Sequence, residues 1–495
     1  MIIKGINDLQ NGSDVRGIAL EGIEGEHINL TVDMAMKIAY SFSIWLKERT
    51  GKDRLTVSVG HDSRLTGKDF DTAICLGLVS NGNFVYDCGL ATTPSMFMTT
   101  VDPEMNCDGA VMITASHMPF NRNGIKLFTK EGGMEQNDLS DVLKQAEVIE
   151  TSMALGGKKV KHHFLPTYAA NIVKIIQKRT GETKPLTGAK IIVDAGNGAG
   201  GFFCHDVLDQ LGADTTGSQF LEPDGRFPNH IPNPENEKAM NSAVQAVTHH
   251  HADMGIIFDT DVDRAAVIDE KGHPINRNGF IAFMAHMILA DYPGTTIVTD
   301  SITSTGLTEY IESLGGIHHR FKRGYKNVIN EAIRLNQEGQ ETHLAMETSG
   351  HGAIKENYFL DDGAYLVTMA LIEYTHLHKN GQPLSSFLSQ LKEPVETMEI
   401  RYVIHNDDFK TYGQNVLISF KKFAENQKGW SLVQPNYEGI RVACDQNSGN
   451  GWCLLRMSLH EPKMPLNIES EEKGGCQIIK ATFEQFVSKY GDLKA

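Results

Sequence analysis

The chain has 495 residues, of which 40% are hydrophobic and 22% are charged. At about 150 residues per domain, this length predicts three to four domains and excludes a single small binding module, and the composition is typical of folded soluble proteins. The 62 acidic residues outnumber the 46 basic ones and give a net charge of −16, so the surface repels polyanions and we expect no nucleic-acid partner.

The cysteines and the hydropathy pattern indicate a cytoplasmic protein. Seven cysteines form no CxxC pair, and an odd number cannot all pair within one chain, so we expect reduced thiols. The first residues, MIIKGINDLQNG, lack the apolar core of a signal peptide. The most apolar later run, residues 280–289, is too short to span a bilayer and contains His286. We therefore expect no membrane segment.

Short β-branched runs alternate with helix-like stretches along the chain. The predicted strands are LTVSVG (55–60), GAVMIT (109–114), AKIIVD (189–194), MGIIFD (254–259) and GTTIVTD (294–300). This alternation indicates βαβ units, an α/β class and largely parallel sheets. Polar, Gly- or Pro-rich stretches near 150–160, 272 and 380–394 predict four segments: 1–157, 158–272, 273–390 and 391–495.

The first chemical motif follows the strand at 109–114. The strand leads directly into Ser116 and His117, and Lys126 follows a Pro/Asn/Gly turn. Open α/β sheets bind ligands at the carboxyl ends of their strands, so Ser116 is a candidate nucleophile or phosphate carrier, with an imidazole and a cation nearby. Alternatively, Ser116 and Thr114 cap a helix. The sequence is not GxSxG, so an α/β-hydrolase is not supported.

The second motif places three aspartates at alternate positions after an apolar strand. Asp259, Asp261 and Asp263 are followed by Arg264. Three carboxylates this close repel one another unless a cation neutralises them, and hard oxygen ligands favour Mg²⁺. A calcium-binding EF-hand loop requires Gly where Arg264 stands, which argues against that alternative. A purely structural acidic strand end is the other alternative.

Two later loops carry polar side chains of the kind that bind sugars and phosphates. Glu347, Ser349 and His351 lie in a short Gly-containing loop, where a carboxylate and a hydroxyl two residues apart suit adjacent sugar hydroxyls; a capped turn explains them equally well. Arg456 and Ser458 follow a strand and could hold a phosphate, although a single arginine at a strand end is often an ordinary surface residue.

Two other patterns have simpler explanations. Gly196, Gly198 and Gly201 form a nominal GxGxxG that would suit a nicotinamide-dependent oxidoreductase, but no acidic residue ends a second apolar strand about 20 residues later. We interpret these glycines as a tight strand-to-helix turn. The three consecutive histidines at 249–251 project about 100° apart on a helix and cannot easily share one metal ion, so we expect a solvated helix end.

Taken in order, these motifs resemble those of the α-D-phosphohexomutase family, the phosphoglucomutases and phosphomannomutases. Residues 114–119 with Asn123, Gly124 and Lys126 resemble the family's serine motif TASHNP with NGxK; residues 259–264 resemble its metal loop DGDGDR, and residues 346–351 its sugar loop GExSGH. Shorter matches lie at 13–17, 60–64, 92–94, 223–225 and 323–326. Together the matches extend from Asp14 to Pro462.

The resemblance implies a fold and a reaction. The expected fold has three related α/β domains with mixed sheets and a smaller C-terminal α+β domain around a central cleft. The expected enzyme is an intramolecular phosphotransferase in which phosphoserine at Ser116 donates its phosphoryl group to the 6-hydroxyl of a hexose 1-phosphate, giving a 1,6-bisphosphate. Glucose, mannose or both are the implied sugars, and Mg²⁺ and the hexose 1,6-bisphosphate the implied cofactor and activator. A small phosphosugar is the implied partner, and the protein is a monomer or homodimer.

The resemblance also assigns a role to each candidate residue. The implied catalytic residues are Ser116, His117, Lys126 and Arg16. The implied metal ligands are Ser116, through its phosphoryl oxygens, and Asp259, Asp261 and Asp263. The implied substrate-binding residues are Arg264, Arg323, Glu347, Ser349, His351, Arg456 and Ser458.

This chain departs from the family motifs at three places. Met118 stands where the family usually has Asn, and Thr260 and Val262 replace glycines of the metal loop. The last loop reads Ser458-Leu459-His460-Glu461-Pro462 in place of SGTEP, which affects the expected phosphate affinity. The alternatives are a phosphoglucosamine mutase or phosphopentomutase and, from other classes, a Mg²⁺-dependent phosphatase or a non-catalytic phosphosugar-binding protein.

Overall fold

A computed structural model describes residues 5–151, 156–458 and 461–495. The chain forms two compact units. The first unit contains the residues up to 276 together with 349–387, and the second contains 277–348 and 388–495. Each unit has its own strands, helices and polar clusters.

Residues 10–161 form a mixed eight-stranded sheet. Its strands are β1 (Gln10–Asn11), β2 (Asp14–Ile18), β3 (Thr56–His61), β4 (Phe84–Leu90), β5 (Gly109–Ile113), β6 (Arg122–Thr129), β7 (Gly132–Gly133) and β8 (Lys158–Lys161). They lie in the order β1-β2-β6-β5-β3-β4-β8, and β7 pairs with β6. Strands β5, β3, β4 and β8 pair parallel with one another, whereas the β1–β2, β2–β6, β5–β6 and β6–β7 pairs are antiparallel.

Four helices accompany this sheet: α1 (Val32–Thr50), α2 (Gly67–Ser80), α3 (Thr93–Val101) and α4 (Gln136–Val148). The hydroxyl of Thr31 accepts from the Met34 amide at the start of α1, and Gly51 ends the helix at a φ of 68°, which glycine adopts without strain. The α1 face that carries Phe42 packs on the sheet side that carries Val57 and Val111, and all three side chains are buried.

The next segment forms a smaller mixed sheet. Its elements are α5 (Leu165–Thr180), β9 (Ile191–Asp194), α6 (Glu237–His250), β10 (Met254–Phe258), β11 (Ala265–Asp269) and β12 (Pro274–Ile275), with a π-helix at Phe203–Leu208. The order is β12-β11-β10-β9, in which β10 and β9 are parallel and the other pairs are antiparallel. Strand β10 is buried at every position, which matches its unbroken apolar sequence.

Residues 277–346, in the second unit, alternate strands with helices. The elements are α7 (Arg277–Asp291), β13 (Thr296–Thr299), α8 (Thr305–Ser313), β14 (Ile317–Arg320), α9 (Tyr325–Gln337) and β15 (Thr342–Met346). Strands β14 and β15 both pair parallel with β13. The carboxyl ends of β13 and β15 therefore open toward the same edge.

Residues 349–387 return to the first unit. They contain the antiparallel pair β16 (Gly352–Ile354) and β17 (Leu360–Asp361) and the largely buried helix α10 (Gly363–Lys379). The Asp362 side chain accepts from the Tyr365 amide at the start of α10 and from the Tyr168 hydroxyl of α5 at 2.7 Å. These bonds fix α10 and the preceding strand pair against α5.

The last segment is an antiparallel sheet with two helices, in the second unit. Its elements are β18 (Glu396–Ile404), α11 (Phe409–Asn426), β19 (Trp430–Leu432), β20 (Ile440–Cys444), β21 (Gly451–Leu455), β22 (Lys463–Ser470), α12 (Gly475–Val487) and β23 (Leu493–Lys494). The strand order is β19-β20-β21-β22-β18-β23. Short 3₁₀ helices elsewhere span Ile6–Leu9, Lys355–Asn357, Leu384–Gln390 and Gln446–Ser448.

The structure confirms the fold class and the five predicted strands. Mixed sheets are present, but antiparallel pairing is more frequent than strand–helix alternation predicts, since β6 returns from β5 directly as a hairpin. The histidines at 249–251 lie at the end of α6, as expected. All seven cysteines are free thiols. The division into four domains stays a prediction.

Candidate active site

Ser116 lies in a tight loop at the carboxyl end of β5. Residues 109–113 are all buried, so the strand fixes the position at which the loop begins. Ser116 adopts a φ of 48°, in the left-handed region that non-glycine residues seldom occupy. Its amide donates to Thr114 Oγ1 at 2.8 Å, which stabilises this turn. The strain and the bond together hold the Ser116 hydroxyl in one direction.

The buried side chain of Arg64 holds the serine loop through the backbone carbonyls of the loop. The Arg64 guanidinium, completely inaccessible to solvent, donates to the Ser116 carbonyl at 2.5 Å and the Met118 carbonyl at 2.6 Å, and also to Pro119 and Arg122. Asp62 accepts from the Arg64 amide at 2.9 Å. The loop around Met118 is therefore held through backbone groups, and the Met118 amide itself donates to Ala115 O at 3.1 Å.

The three aspartates occupy the loop of a hairpin between β10 and β11. Phe258 and Ala265 pair across the hairpin, and the six residues between them form the loop. The turn at residues 196–201 packs against it: the Ala199 amide donates to Thr260 O at 2.8 Å, and a Cβ on Gly198 would lie 2.7 Å from the same oxygen. The GxGxxG glycines thus permit close backbone packing, as a tight turn should.

Val262 replaces a glycine of the family motif and adopts a left-handed backbone conformation. Its φ is 65°, which a β-branched side chain adopts only with strain. The Val262 carbonyl accepts from the Gly363 amide at 3.1 Å, and the side chain is fully buried. Burial and this backbone bond offset the strain, so the loop keeps its form without the glycine.

The three carboxylates converge and are completely buried. One oxygen from each of Asp259, Asp261 and Asp263 lies within 4.8 Å of the others. Asp261 Oδ1 and Asp263 Oδ1 have no hydrogen-bond partner in the described part of the chain. Unpaired buried carboxylate oxygens are costly, and a hard cation such as Mg²⁺ removes that cost. The donor set therefore fits a divalent metal.

The pKa values of the triad carboxylates also support a cation site. Burial, and then the charges of Asp263 and Asp261, raise the pKa of Asp259 well above its usual range. Burial also acts to raise the pKa of Asp263, but the neighbouring Lys126 ammonium and the His351 and Arg264 side chains together hold it below its usual value. The raised pKa of Asp259 indicates a carboxylate that the neighbouring cations do not fully neutralise.

Ser116 and the triad lie within hydrogen-bond distance. Ser116 Oγ donates to Asp259 Oδ2 at 3.0 Å and accepts from Arg264 Nη2 at 3.1 Å. Lys126 Nζ donates to Asp263 and lies 3.5 Å from Asp261 Oδ2. Thr93, at the start of α3, donates through its hydroxyl to Asp261 at 2.5 Å. A hydroxyl, three carboxylates and two cations thus form one cluster.

The imidazole ring of His117 lies next to Arg264. The distance from Arg264 Nη2 to His117 Nδ1 is 2.5 Å, and Ser116 Oγ is 3.2 Å from the same nitrogen. Loss of hydration around the ring and the Arg264 charge lower the pKa of His117. A neutral imidazole that accepts from Arg264 is consistent with this geometry, and its basicity is weak.

His351 lies at the opposite side of Asp263 and is oriented by Asp361. The distance from His351 Nδ1 to Asp361 Oδ2 is 2.5 Å, and Asp361 Oδ1 accepts from the Gly352 amide at 3.0 Å. Burial acts to lower the pKa of His351, but the Asp361 and Asp263 carboxylates outweigh it and raise this pKa to about 9. Ser349 is buried two residues earlier in the chain.

Arg16 lies beside the serine loop on strand β2. Its guanidinium donates to the Thr114 carbonyl and to Asp14 Oδ2 at 2.8 Å. The antiparallel pairing of β2 with β6 places Arg16 opposite Gly124, two residues from Lys126. Arg16 and Lys126 therefore approach the serine loop from adjacent strands.

The second unit contains a separate polar cluster. Glu347 follows β15, is buried, and accepts from the Gly324 amide at 2.6 Å. The Arg323 side chain lies 3.8 Å from Asp300 Oδ2, and Thr348 donates to the same oxygen at 2.8 Å. Burial raises the pKa of Asp300, although Arg323 opposes this effect.

Arg456 belongs to the same cluster. It follows β21 and is buried, and its Nε has no hydrogen-bond partner among the described residues. Its nearest carboxylate oxygen is Glu438 Oε1, 4.0 Å from Nη1. The Ser458 amide donates to Lys463 O at 2.9 Å. Leu459 and His460, the residues that depart most from the family loop, lie outside the described residues.

Comparison with known proteins identifies the family. Three family models match the chain: "Phosphoglucomutase/phosphomannomutase, alpha/beta/alpha domain I" at residues 8–152, domain II at 166–272 and domain III at 276–394. A phosphoglucomutase/phosphomannomutase of Thermococcus kodakarensis is 30% identical over 93% of this chain and 94% of its own length. The chain belongs to the phosphoglucomutase/phosphomannomutase family. As an α-D-phosphohexomutase it is an enzyme, a mutase of the phosphotransferase type.

Other relatives of the family agree with this assignment. A phosphomannomutase/phosphoglucomutase of Pseudomonas putida is 29% identical over 89% of this chain and 90% of its own length. A crystal structure of a phosphoglucomutase/phosphomannomutase family protein from Burkholderia thailandensis superposes with a TM-score of 0.81, covering 99% of each chain at 24% identity. This structural similarity supports the phosphohexomutase fold.

Sequence reasoning did not single out several residues that hold the two clusters together. Arg64, Thr93 and Asp361 hold residues of the first cluster, and Asp300 and Glu438 hold residues of the second. Arg64 and Thr93 fall inside two of the short family matches, at 60–64 and 92–94. Those matches were the sequence signal that could have identified the two residues. Asp300 ends the predicted strand at 294–300, the position where α/β sheets bind ligands.

The lengths and hydropathies of the described helices can be compared with the expectation that the chain has no membrane-spanning segment. Among residues 5–151, 156–458 and 461–495, none of them combines the length and the apolar character needed to cross a bilayer.

Proposed function

We propose that this mutase interconverts hexose 1-phosphate and hexose 6-phosphate, with glucose or mannose as the sugar, through phosphoserine at Ser116 and a hexose 1,6-bisphosphate. The observation that carries the proposal is the contact of Ser116 Oγ with Asp259 Oδ2 at 3.0 Å and Arg264 Nη2 at 3.1 Å. Relatives named for both phosphoglucomutase and phosphomannomutase activity support the choice of sugars.

Phosphoryl transfer passes through a loose and highly charged transition state, so charge neutralisation matters more than covalent assistance. In our proposal Asp259, Asp261 and Asp263 bind Mg²⁺. When bound, this ion supplies Lewis-acid stabilisation of the phosphoryl oxygens. Arg264 donates to Ser116 Oγ and so faces the group that Ser116 carries. Lys126 and Arg16 add positive charge from β6 and β2.

Proton transfer requires a group near the substrate hydroxyl. In our proposal Arg16 and Lys126 neutralise the moving phosphoryl group or shuttle the hydroxyl proton, and His351, which Asp361 orients through Nδ1, is a further acid/base candidate. His117, with a lowered pKa, is a weaker base than His351 and accepts a hydrogen bond from Arg264 instead. Lys126 donates to Asp263, and this bond orients its ammonium.

Substrate binding completes the proposal. Glu347 and Ser349 bind adjacent sugar hydroxyls, and Arg323, Arg456 and Ser458 bind the phosphate that is not being transferred. The four segments 1–157, 158–272, 273–390 and 391–495 then carry the serine, the metal loop, the sugar loop and the phosphate loop, respectively. The hexose 1,6-bisphosphate acts as activator because it phosphorylates Ser116. A cytoplasmic location and a monomeric or homodimeric state complete this assignment.

Replacement of Ser116 by Ala tests the proposal directly. We expect Ser116→Ala to lose mutase turnover of glucose 1-phosphate and mannose 1-phosphate by at least about 1,000-fold, since no other group carries the phosphoryl group. Intact-mass measurement after incubation with glucose 1,6-bisphosphate should show one added phosphate on the wild type and none on the variant. Ser41→Ala is the matched control, because the Ser41 hydroxyl is buried in α1 and has no partner among the described residues.

Each alternative function gives a different result in the same assays. Release of inorganic phosphate without isomerisation would indicate a phosphatase. Tight sugar-phosphate binding without turnover would indicate a binding protein. Preference for glucosamine 1-phosphate or a pentose 1-phosphate would replace the proposed sugar. Undiminished mutase activity in Ser116→Ala would contradict the phosphoserine mechanism itself.

A further inference from the structure

Glu438 joins three segments of the second unit that carry polar groups of its cluster. It lies in the loop before β20, and its side chain is 9% exposed. Glu438 Oε2 accepts from the Ser301 hydroxyl, which follows β13, and from the Arg323 amide at 3.2 Å, which precedes α9. Its other oxygen lies 4.0 Å from Arg456 Nη1, which follows β21. One carboxylate thus contacts three different strand or helix ends.

The loop that carries Glu438 is itself held in place. The Asn436 side-chain amide donates to Glu438 O at 3.0 Å and to Gly439 O at 2.9 Å. Tyr437 packs on Phe321 with a ring-centroid distance of 5.1 Å, two residues before Arg323. A ring contact and a hydrogen bond therefore connect the loop to the segment at 321–324, and Glu438 has little freedom to move.

Glu438 contacts Arg323 and Arg456 in different ways. Its carboxylate accepts a hydrogen bond from the Arg323 backbone amide. At 4.0 Å, the approach to Arg456 is an ion pair rather than a hydrogen bond, and Arg456 Nε has no partner among the described residues. A buried guanidinium with such incomplete pairing suits a bidentate anion such as a phosphate. Glu438 therefore holds the Arg323 backbone and lies beside Arg456 without a hydrogen bond to the Arg456 guanidinium.

We propose that Glu438 is a positioning residue for the non-reacting phosphate of the substrate. It holds Arg323 through its hydrogen bonds to Ser301 and to the Arg323 amide, and it places Arg456 relative to them through the 4.0 Å ion pair. This inference rests on the proposed function, because that proposal assigns both arginines to phosphate binding. The role depends on the reach of the side chain and on its acceptor oxygen, since hydrogen bonds and not a close ion pair make the connection.

Two conservative variants distinguish the effect of side-chain length from the effect of side-chain charge. Glu438→Gln keeps the length and one acceptor oxygen but removes the charge, whereas Glu438→Asp keeps the charge but is one methylene shorter. If positioning is the role, the dissociation constant for glucose 1-phosphate should stay within about threefold of wild type in Glu438→Gln. It should rise about tenfold in Glu438→Asp and Glu438→Ala, because each loses a hydrogen bond to a charged group. The kcat at saturating substrate should change less than KM in every variant.

Isothermal titration of the full-length protein with glucose 1-phosphate gives the dissociation constant, and the mutase assay gives KM and kcat. Glu396→Ala is the matched control: Glu396 accepts from the Gly474 amide at 2.7 Å and the Cys476 amide at 3.4 Å, away from both arginines. This control should bind glucose 1-phosphate as wild type does. Thermal unfolding of each variant shows whether it is folded, and Glu438→Gln and Glu438→Asp remain informative if Glu438→Ala does not fold.

Several outcomes would overturn the inference. Weak binding in Glu438→Gln with normal binding in Glu438→Asp would show that charge and not position matters. Equal binding in all variants, or an equal loss in Glu396→Ala, would remove the role of Glu438. A wild-type protein that binds glucose 1-phosphate but does not isomerise it would contradict the proposed function while leaving the binding comparison of the variants valid.

Discussion

The two polar clusters of this protein are of opposite character. In the first unit, buried carboxylates outnumber the cations that contact them, and the oxygens Asp261 Oδ1 and Asp263 Oδ1 lack hydrogen-bond partners among the described residues. In the second unit a buried guanidinium, that of Arg456, is the incompletely paired group. The first cluster fits a cation and the second fits an anion, as a metal-dependent enzyme with a phosphorylated substrate requires.

The clusters also differ in how they are held. Backbone and side-chain bonds converge on Ser116 and the aspartates: Arg64 binds the carbonyls of the serine loop, and Thr93 binds Asp261 through both its amide and its hydroxyl. In the second unit, Arg441 stacks on Trp452 at 3.6 Å and donates to Ser301 O at 2.7 Å and Thr303 O at 3.0 Å. Positions near reacting atoms need this rigidity, because small displacements are costly for catalysis.

The largest effect should come from removing a charge of the first cluster. We expect Asp261→Asn to lower kcat by about 1,000-fold or more, because a bound metal supplies several kcal/mol of transition-state stabilisation and this variant loses a ligand charge. The measurement is mutase rate against Mg²⁺ concentration. Asp214→Asn, a half-exposed aspartate paired with Lys190, is the control and should behave as wild type. An unchanged Mg²⁺ dependence in Asp261→Asn would exclude the triad as the metal site.

A smaller effect, on KM rather than on kcat, should come from removing a charge of the second cluster. Arg456→Ala should raise KM for glucose 1-phosphate by about 10- to 100-fold, the value of one or two charge-assisted hydrogen bonds, and should leave kcat within about threefold. Arg401→Ala is the control, since Arg401 is mostly exposed and binds Glu399 at the surface. If Arg456→Ala instead lowered kcat at unchanged KM, the division between a catalytic and a binding cluster would be wrong.

The smallest effect should come from a single hydroxyl beside the triad. Thr93→Val removes the donor to Asp261 and should raise the half-saturating Mg²⁺ concentration about tenfold, the low end of the value of a hydrogen bond to a charged group, with kcat at saturating Mg²⁺ close to wild type. Thr100→Val on the same helix is the control, since the Thr100 hydroxyl donates to Phe97 O within the helix. A Thr93→Val protein with unaltered Mg²⁺ response would show that the metal is insensitive to this bond.

Much of the first cluster was accessible from sequence, whereas its supporting residues were not. Ser116 and the aspartates stand directly after apolar strands, and that local pattern predicts their place at a sheet edge. Arg64 lies 52 residues from the serine whose carbonyl it binds, and Glu438 lies 137 residues from Ser301. Nothing in the local pattern of either residue indicates its partner. The roles of Arg16 and Arg323 came from the family resemblance alone, whereas the residue types of Glu347, Ser349, Arg456 and Ser458 already suited sugar hydroxyls and a phosphate.

The amino-acid sequence by itself determined the class of fold, the strands that end in reactive side chains, and the residue types that suit a cation and a phosphate, because these depend on hydrophobic periodicity and on spacing along the chain. Only the tertiary structure decided which groups meet: that Ser116 contacts Asp259 143 residues away, that Val262 adopts a left-handed conformation, and that Glu438 joins three segments. The reason is physical. Contacts between residues distant in sequence depend on how sheets and loops pack, and packing is a property of the whole fold.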